Sequence, residues 1–315
     1  MRKISILIIL LLILLLILLF IFFPFGEKKE GGGNMVLKEQ GGGENAESFP
    51  IRNPKAPEIN LNEKAGIAVL FTPDGKEKIL YKKNINQRLP FASLTKIMTA
   101  MVVIDNYPLD KEVTISREAV QTLGESGRLS VGERISIRGL LDLSLLVSSN
   151  DAASALAEVM GERKFVRAMN EKAKEIGLLN TSFVNPHGLD EEDHNNNLSS
   201  AYELAKMTEY SIQHYPLIWK ILGTKEKDVI GKDSSGREIL HHPRNVARVL
   251  LDKEGILGGK TGYTEDAGET MILVGKPFGK VKGNIVIVIL GVGIGERLQK
   301  SEQLYNWLKT AYIWQ

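Results

Sequence analysis

Gly66-Ile67-Ala68-Val69-Leu70-Phe71 is followed by Thr72-Pro73-Asp74-Gly75 and then by Lys78-Ile79-Leu80-Tyr81. An apolar run, a turn signal and a second apolar run read as strand, turn and returning strand. Matching strand patterns stand at the far end of the chain, at 256–263, 270–275 and 284–291. Between them the apolar spacing turns helical. One helix opens near Ser93 and runs through Ile97, Met98, Met101, Val102 and Ile104, and others follow at 139–147, 152–160, 164–177 and 199–213. A last helix, from about Glu296 to Ile313, carries Leu298, Leu304, Trp307 and Leu308. Strands from both ends around a helical block predict an α+β fold: one antiparallel sheet built from both chain ends, with a helical subdomain inserted. This domain is expected over 58–315.

Two segments precede it. After Arg2 and Lys3, residues Ile4 to Phe23 contain Ser5 as their one polar residue. As a helix rising about 1.5 Å per residue, this stretch matches a hydrocarbon core of about 30 Å. Residues 1–25 therefore read as an uncleaved N-terminal transmembrane helix. A cleaved signal peptide is the alternative, but the run is long for one and Phe22-Phe23-Pro24-Phe25 offers no small-x-small cleavage site. The two leading cations favour a cytoplasmic N-terminus and an extracytoplasmic domain. Residues 26–57 hold Gly31-Gly32-Gly33, Gly41-Gly42-Gly43, Pro50, Pro54 and Pro57. Such a stretch reads as a flexible linker, a leash or a plain spacer, reaching on the order of 30 Å.

Composition narrows the functional classes. Charged residues make up 25% of the 315, with a formal net charge of +2 and no long basic stripe, which argues against nucleic acid as the main partner. The absence of cysteine excludes disulfides and cysteine-based metal sites. His187, His194, His214, His241 and His242 show no zinc-site spacing and read as structural or surface residues.

Three short motifs occur once each: Ser93-Leu94-Thr95-Lys96, Ser148-Ser149-Asn150 and Lys260-Thr261-Gly262. Ser93 and Lys96 share a helix face. A serine hydroxyl needs a base, and a lysine can serve when burial or a second cation keeps its amine neutral. Placement in a first helical turn would also offer unpaired N–H groups to a developing oxyanion. Ser148 could pass a proton to a leaving amine, and Asn150 could hydrogen-bond a substrate backbone. Lys260 and Thr261 could clamp a carboxylate, with Gly262 letting substrate approach the strand. Each motif alone also has an ordinary reading: an N-cap serine beside a solvated lysine, a cap between two helices, a glycine in a strand. A phosphate-binding loop does not fit, because Gly255 and Gly259 have three residues between them rather than four.

Together, in this order, the motifs are the signature of penicillin-binding proteins and serine β-lactamases. The chain resembles the low-molecular-mass penicillin-binding D-alanyl-D-alanine carboxypeptidases. Pro90–Ala100 is similar to their nucleophile motif, with Phe91 as an extra residue. Asn185-Pro186-His187-Gly188-Leu189 and Gly259–Gly268 resemble two further elements. The likeness covers about 60–312, and Ser149 stands where the family commonly has glycine.

The resemblance implies a serine β-lactamase/DD-peptidase-like fold and no metal or cofactor. It implies removal of the terminal D-alanine from peptidoglycan stem pentapeptides through a Ser93 acyl-enzyme, with β-lactams as inhibitors. In that scheme Ser93 is the nucleophile, Lys96 the general base and Ser148 the proton shuttle. Asn150, Lys260, Thr261 and Gly262 bind substrate, and the Ser93 and Tyr263 backbone N–H groups form the oxyanion hole. Three alternatives stay open: a DD-endopeptidase on crosslinks, a serine β-lactamase and a non-catalytic, membrane-tethered peptidoglycan binder. For the β-lactamase, Glu191 and Glu192, each four residues before an asparagine (Asn195, Asn196), are the carboxylates to consider.

Overall fold

The computed structural model describes residues 49–124 and 127–315. The transmembrane helix expected at 1–25, and all of the linker up to residue 48, lie outside the described residues. Among the described residues no helix is long and apolar enough to cross a membrane.

Thirteen strands and eight helices follow one another in the described residues. Strands β1 (Ile51–Arg52), β2 (Ala65–Phe71), β3 (Glu77–Lys83) and β4 (Leu89–Pro90) come first. A 3-10 turn, Ala92–Thr95, leads into α1 (Lys96–Asn106). The insertion then contains β5 (Glu112–Thr114), α2 (Arg117–Val120), β6 (Arg134–Ser136), α3 (Ile137–Leu146), α4 (Asn150–Glu158), α5 (Glu162–Ile176) and β7 (Leu198–Ser199). It continues through α6 (Ala201–His214), α7 (Pro216–Leu222), β8 (Val229–Lys232) and β9 (Glu238–His241). The chain closes with β10 (Ile256–Thr264), β11 (Gly268–Gly275), β12 (Asn284–Val292), α8 (Arg297–Ala311) and β13 (Tyr312–Ile313).

The main sheet has the order β10-β11-β12-β2-β3, antiparallel throughout, so strands from the two chain ends meet at the β12–β2 pair. Its central strands are apolar on both faces because both faces are covered. In β12, Val286, Val288 and Leu290 join the core under the inserted helices, while Ile285, Ile287 and Ile289 join the core under α8. Strand β2 divides in the same way, Ile67 and Val69 to one side and Ala68 and Leu70 to the other. Each Val, Leu or Ile among them contributes about 1.5–3 kcal/mol by leaving water. Helix α5 shows how the insertion attaches: Phe165, Met169 and Ala173 recur every four residues and are buried, and Gly177 ends the helix at φ 82.

Two sequence expectations change. The insertion is not purely helical, because β5-β6-β8-β9 form a second, four-stranded sheet inside it. The linker, read as running to residue 57, ends earlier: β1 pairs with β13 through Ile51↔Ile313 and Arg52↔Tyr312. Arg52 also lies over the Trp307 ring at 5.0 Å, and Trp307 Nε1 donates to Pro57 O at 2.8 Å. The last nine residues assigned to a flexible stretch are thus packed on the domain.

Candidate active site

Ser93 lies in the 3-10 turn rather than at the mouth of a regular helix, and Lys96 begins α1. The turn is tight because Ala92 stands at φ 49, left-handed backbone that costs a non-glycine residue about 1–2 kcal/mol. Contacts distant in sequence hold it there. Thr95 Oγ1 donates to Ala92 O at 2.7 Å and accepts from Asn197 Nδ2 at 2.9 Å. Gly188, at φ +87, packs so closely that a Cβ on it would lie 2.1 Å from Ala92 O.

Lys96 is 0% exposed, and its Nζ meets three oxygens: Ser93 Oγ at 2.8 Å, Asn150 Oδ1 at 2.7 Å and His187 O at 2.7 Å. The amide and carbonyl oxygens can only accept. The amine donates to Asn150 and His187, and once it has given up its own extra proton its lone pair faces the Ser93 hydroxyl. That is the geometry of a general base beside its nucleophile. Asn150 therefore orients Lys96, a role the sequence reading did not assign to it, and its Nδ2 donates to Leu123 O at 2.8 Å. Burial, and then the neighbouring Lys96 amine, push the His187 imidazole down to about 3. It stays neutral, and its Nδ1 accepts from Leu189 N at 3.2 Å.

Across the cleft stands a second serine–lysine pair. Lys260, 2% exposed on β10, donates to Ser148 Oγ at 2.7 Å and to Thr261 O at 2.8 Å. Ser148 adopts φ 62, a second strained non-glycine residue in the site. Ser149 caps α4 from the same turn, its Oγ accepting from Ala152 N at 3.0 Å, so the capping reading of this motif holds beside the catalytic one. Gly262 is glycine because the nucleophile turn lies against β10: a Cβ there would fall 3.0 Å from both Ser93 N and Ala92 Cβ.

The space between these pairs is a cleft of about 360 Å³ lined by Ser93, Ser148, Asn150, Thr261, Gly262, Tyr263, Leu189, Val246, Gly124 and Arg297. Six of the eight sequence candidates thus form its wall, and the other two, Lys96 and Lys260, sit behind Ser93 and Ser148. Arg297 is the residue that sequence reasoning missed. Its Nη1 donates to Gly262 O at 3.0 Å and faces Glu269 Oε1 at 3.5 Å. No motif marks it, since β11 and β12 separate it from Gly262 in the chain. Glu191 and Glu192 do not line the cleft, and among the described residues no carboxylate does. Glu191 Oε1 instead accepts from Asn185 Nδ2 at 2.7 Å.

Two serine–lysine pairs facing each other on this α+β scaffold define an active-site-serine hydrolase of the acyl-transfer type. The chain belongs to the D-alanyl-D-alanine carboxypeptidase family, whose model matches residues 53–292. It is 36% identical over 261 residues to the D-alanyl-D-alanine carboxypeptidase DacF of Bacillus subtilis, covering 80% of this chain and 63% of that one. To a D-alanyl-D-alanine endopeptidase of Pseudomonas aeruginosa it is 34% identical over 271 residues, 82% of each chain. A Streptomyces DD-transpeptidase of known structure superposes with a TM-score of 0.72 at 25% identity, covering 81% of this chain and 99% of that one. The chain spans less than two thirds of the Bacillus relative's length.

Proposed function

We propose that the protein is a serine D-alanyl-D-alanine carboxypeptidase that removes the terminal D-alanine from peptidoglycan stem pentapeptides. The observation that carries this is the 2.8 Å contact between buried Lys96 and Ser93, set opposite the Lys260–Ser148 pair at 2.7 Å. Lys96 takes the Ser93 proton, and Ser93 Oγ bonds to the carbonyl carbon between the two D-alanines. The oxyanion lies at the main-chain N–H groups of Ser93 and Tyr263. Ser148, backed by Lys260, gives a proton to the departing amine. Thr261 hydrogen-bonds the terminal carboxylate, and the Arg297 guanidinium supplies its charge partner. Water then hydrolyses the Ser93 ester, and β-lactams acylate the same oxygen.

The apolar run Ile4–Phe23 supports a single-pass anchor with the catalytic domain outside the cytoplasm, tethered by the linker. Relatives named endopeptidase support a second reading, cleavage of D-alanyl crosslinks. Mass spectrometry separates the two. Loss of one D-alanine from a pentapeptide supports the carboxypeptidase, and cleavage of crosslinked muropeptides alone supports the endopeptidase. Ser93→Ala is expected to abolish labelling by a fluorescent penicillin; persistent labelling sinks the assignment of Ser93.

A further inference from the structure

Behind the Ser148–Asn150 turn lies a buried charged cluster that the reaction does not use. Glu133 is 1% exposed, His241 7% and Asp151 1%. His241 Nε2 meets Glu133 Oε1 at 2.6 Å, and the imidazole lies beside the Gly127 main chain, the two residues lining the same cleft. Glu133 first, then the Gly127 contact, work against burial to hold the imidazole proton above its ordinary affinity. Glu133 Oε2 accepts from Ser130 N at 3.0 Å. Strand β8 makes room for this pair with Gly231, where a Cβ would stand 2.0 Å from Glu133 Oε1.

Gly127 is also the next link toward the cleft. Its N–H donates to Asp151 Oδ1 at 2.8 Å, and Leu129 N donates to Asp151 Oδ2 at 3.4 Å. Asp151 Oδ1 accepts further from Ala152 N at 2.8 Å and from the Ser149 hydroxyl. The fit is close, since a Cβ on Gly127 would fall 2.8 Å from Ser149 Oγ. A continuous buried path therefore joins β9 to the turn that carries Ser148 and Asn150: Glu133, His241, Gly127, Asp151, Ser149.

We infer that His241 is a positioning residue for the Ser148–Asn150 turn, holding Gly127 against Asp151 so that Ser148 and Asn150 stay aimed into the cleft. This rests on the roles proposed above for those two residues. Ser148 makes such support necessary, because its left-handed backbone at φ 62 relaxes unless its surroundings fix it. His241 touches no reacting atom; it acts through Gly127 and Asp151. It also lines a cleft of about 640 Å³ on the far side of the turn, shared with Arg128, Val147, Leu240 and Pro243, so a small molecule can reach its place.

The test is chemical rescue in the full chain. His241→Ala is expected to lower the second-order rate of fluorescent-penicillin acylation on the order of tenfold, since a small misplacement near the chemistry is costly. Added imidazole is expected to restore most of that rate without accelerating the wild type. A folded His241→Ala chain that acylates within about twofold of wild type overturns the inference. So does a rate loss that imidazole leaves untouched, because general loosening would produce it. If His241→Ala does not fold, His241→Leu decides: it fills much of the void but has no N–H for Glu133, and a rate within about twofold of wild type again refutes positioning. Wild-type chain that takes no penicillin at all defeats the proposed roles of Ser93 and Ser148 rather than this inference alone.

Discussion

Gly188→Ala is expected to disable the enzyme from outside its catalytic residues. Gly188 stands at φ +87, and a Cβ added there would lie 2.1 Å from Ala92 O and 2.8 Å from Thr95 Oγ1, where contacts below 3.0 Å are essentially never made. Two costs combine. The left-handed backbone costs an alanine about 1–2 kcal/mol. The contact forces the 187–188 segment and the Ala92–Ser93 turn apart by roughly 0.9 Å, and displacement on the scale of 1 Å costs about a hundredfold in rate. The displaced groups are the His187 carbonyl that holds Lys96 and the turn that carries Ser93. Gly161 supplies the control, for it has the same φ of +87 with nothing within 4 Å of its added Cβ. Gly161→Ala should lose only the backbone cost in a urea titration and acylate at the wild-type rate. Gly188→Ala should lose more stability than Gly161→Ala and acylate about a hundredfold more slowly. Equal stability losses and equal acylation rates in the two variants would refute the close-packing argument.

Acid should weaken the fold through His187, whose imidazole protonates at 6.5 when unfolded but only at about 3 when folded. Its contribution is complete above 6.5 and falls by about 1.4 kcal/mol per pH unit as pH drops through that window; urea titrations of His187→Gln should show a shallower acid slope, and an unchanged slope excludes His187 as its source. Arg297→Leu should raise KM for a pentapeptide more than it lowers kcat, with kcat/KM falling about ten- to a hundredfold for a lost charge-assisted hydrogen bond. An unaltered KM would remove Arg297 from carboxylate binding. Phe91→Ala should cost about 3–5 kcal/mol in chemical denaturation, because Phe91 is fully buried and meets Phe183 edge-to-face at 5.8 Å. A loss below about 1 kcal/mol would show that the cavity collapses.

The architecture was legible where pattern and length were sufficient. Strands β2, β10, β11 and β12 fall within two residues of their expected bounds because their apolar runs are long and bracketed by turns. The second sheet was not read, although Asp233-Ser234-Ser235-Gly236 between β8 and β9 is a turn signal. Those strands have four residues each, and exposed Ile230 and Leu240 blur their alternation. The catalytic groups could be named from three motifs, but their arrangement could not. The helix expected from Ser93 becomes a 3-10 turn because Ala92 is held by Thr95, Asn197 and Gly188, and two of those lie far along the chain. Arg297 reaches the cleft only because β11 and β12 fold back beside β10, a register that local spacing does not encode.

The seam of β1 and β13 brings residues 51–52 beside 312–313. A closed ring could therefore be made by joining Gln315 to Phe49 through a short bridge, with new ends opened at Asp74–Gly75, where the hairpin turn is exposed and Gly75 has open space around it. Such a circular permutant would keep every strand neighbour of the main sheet, because the cut falls in a turn and not in a strand. The order of the strands along the chain would change while their pairing would not, which separates the sheet from the order in which the chain visits it.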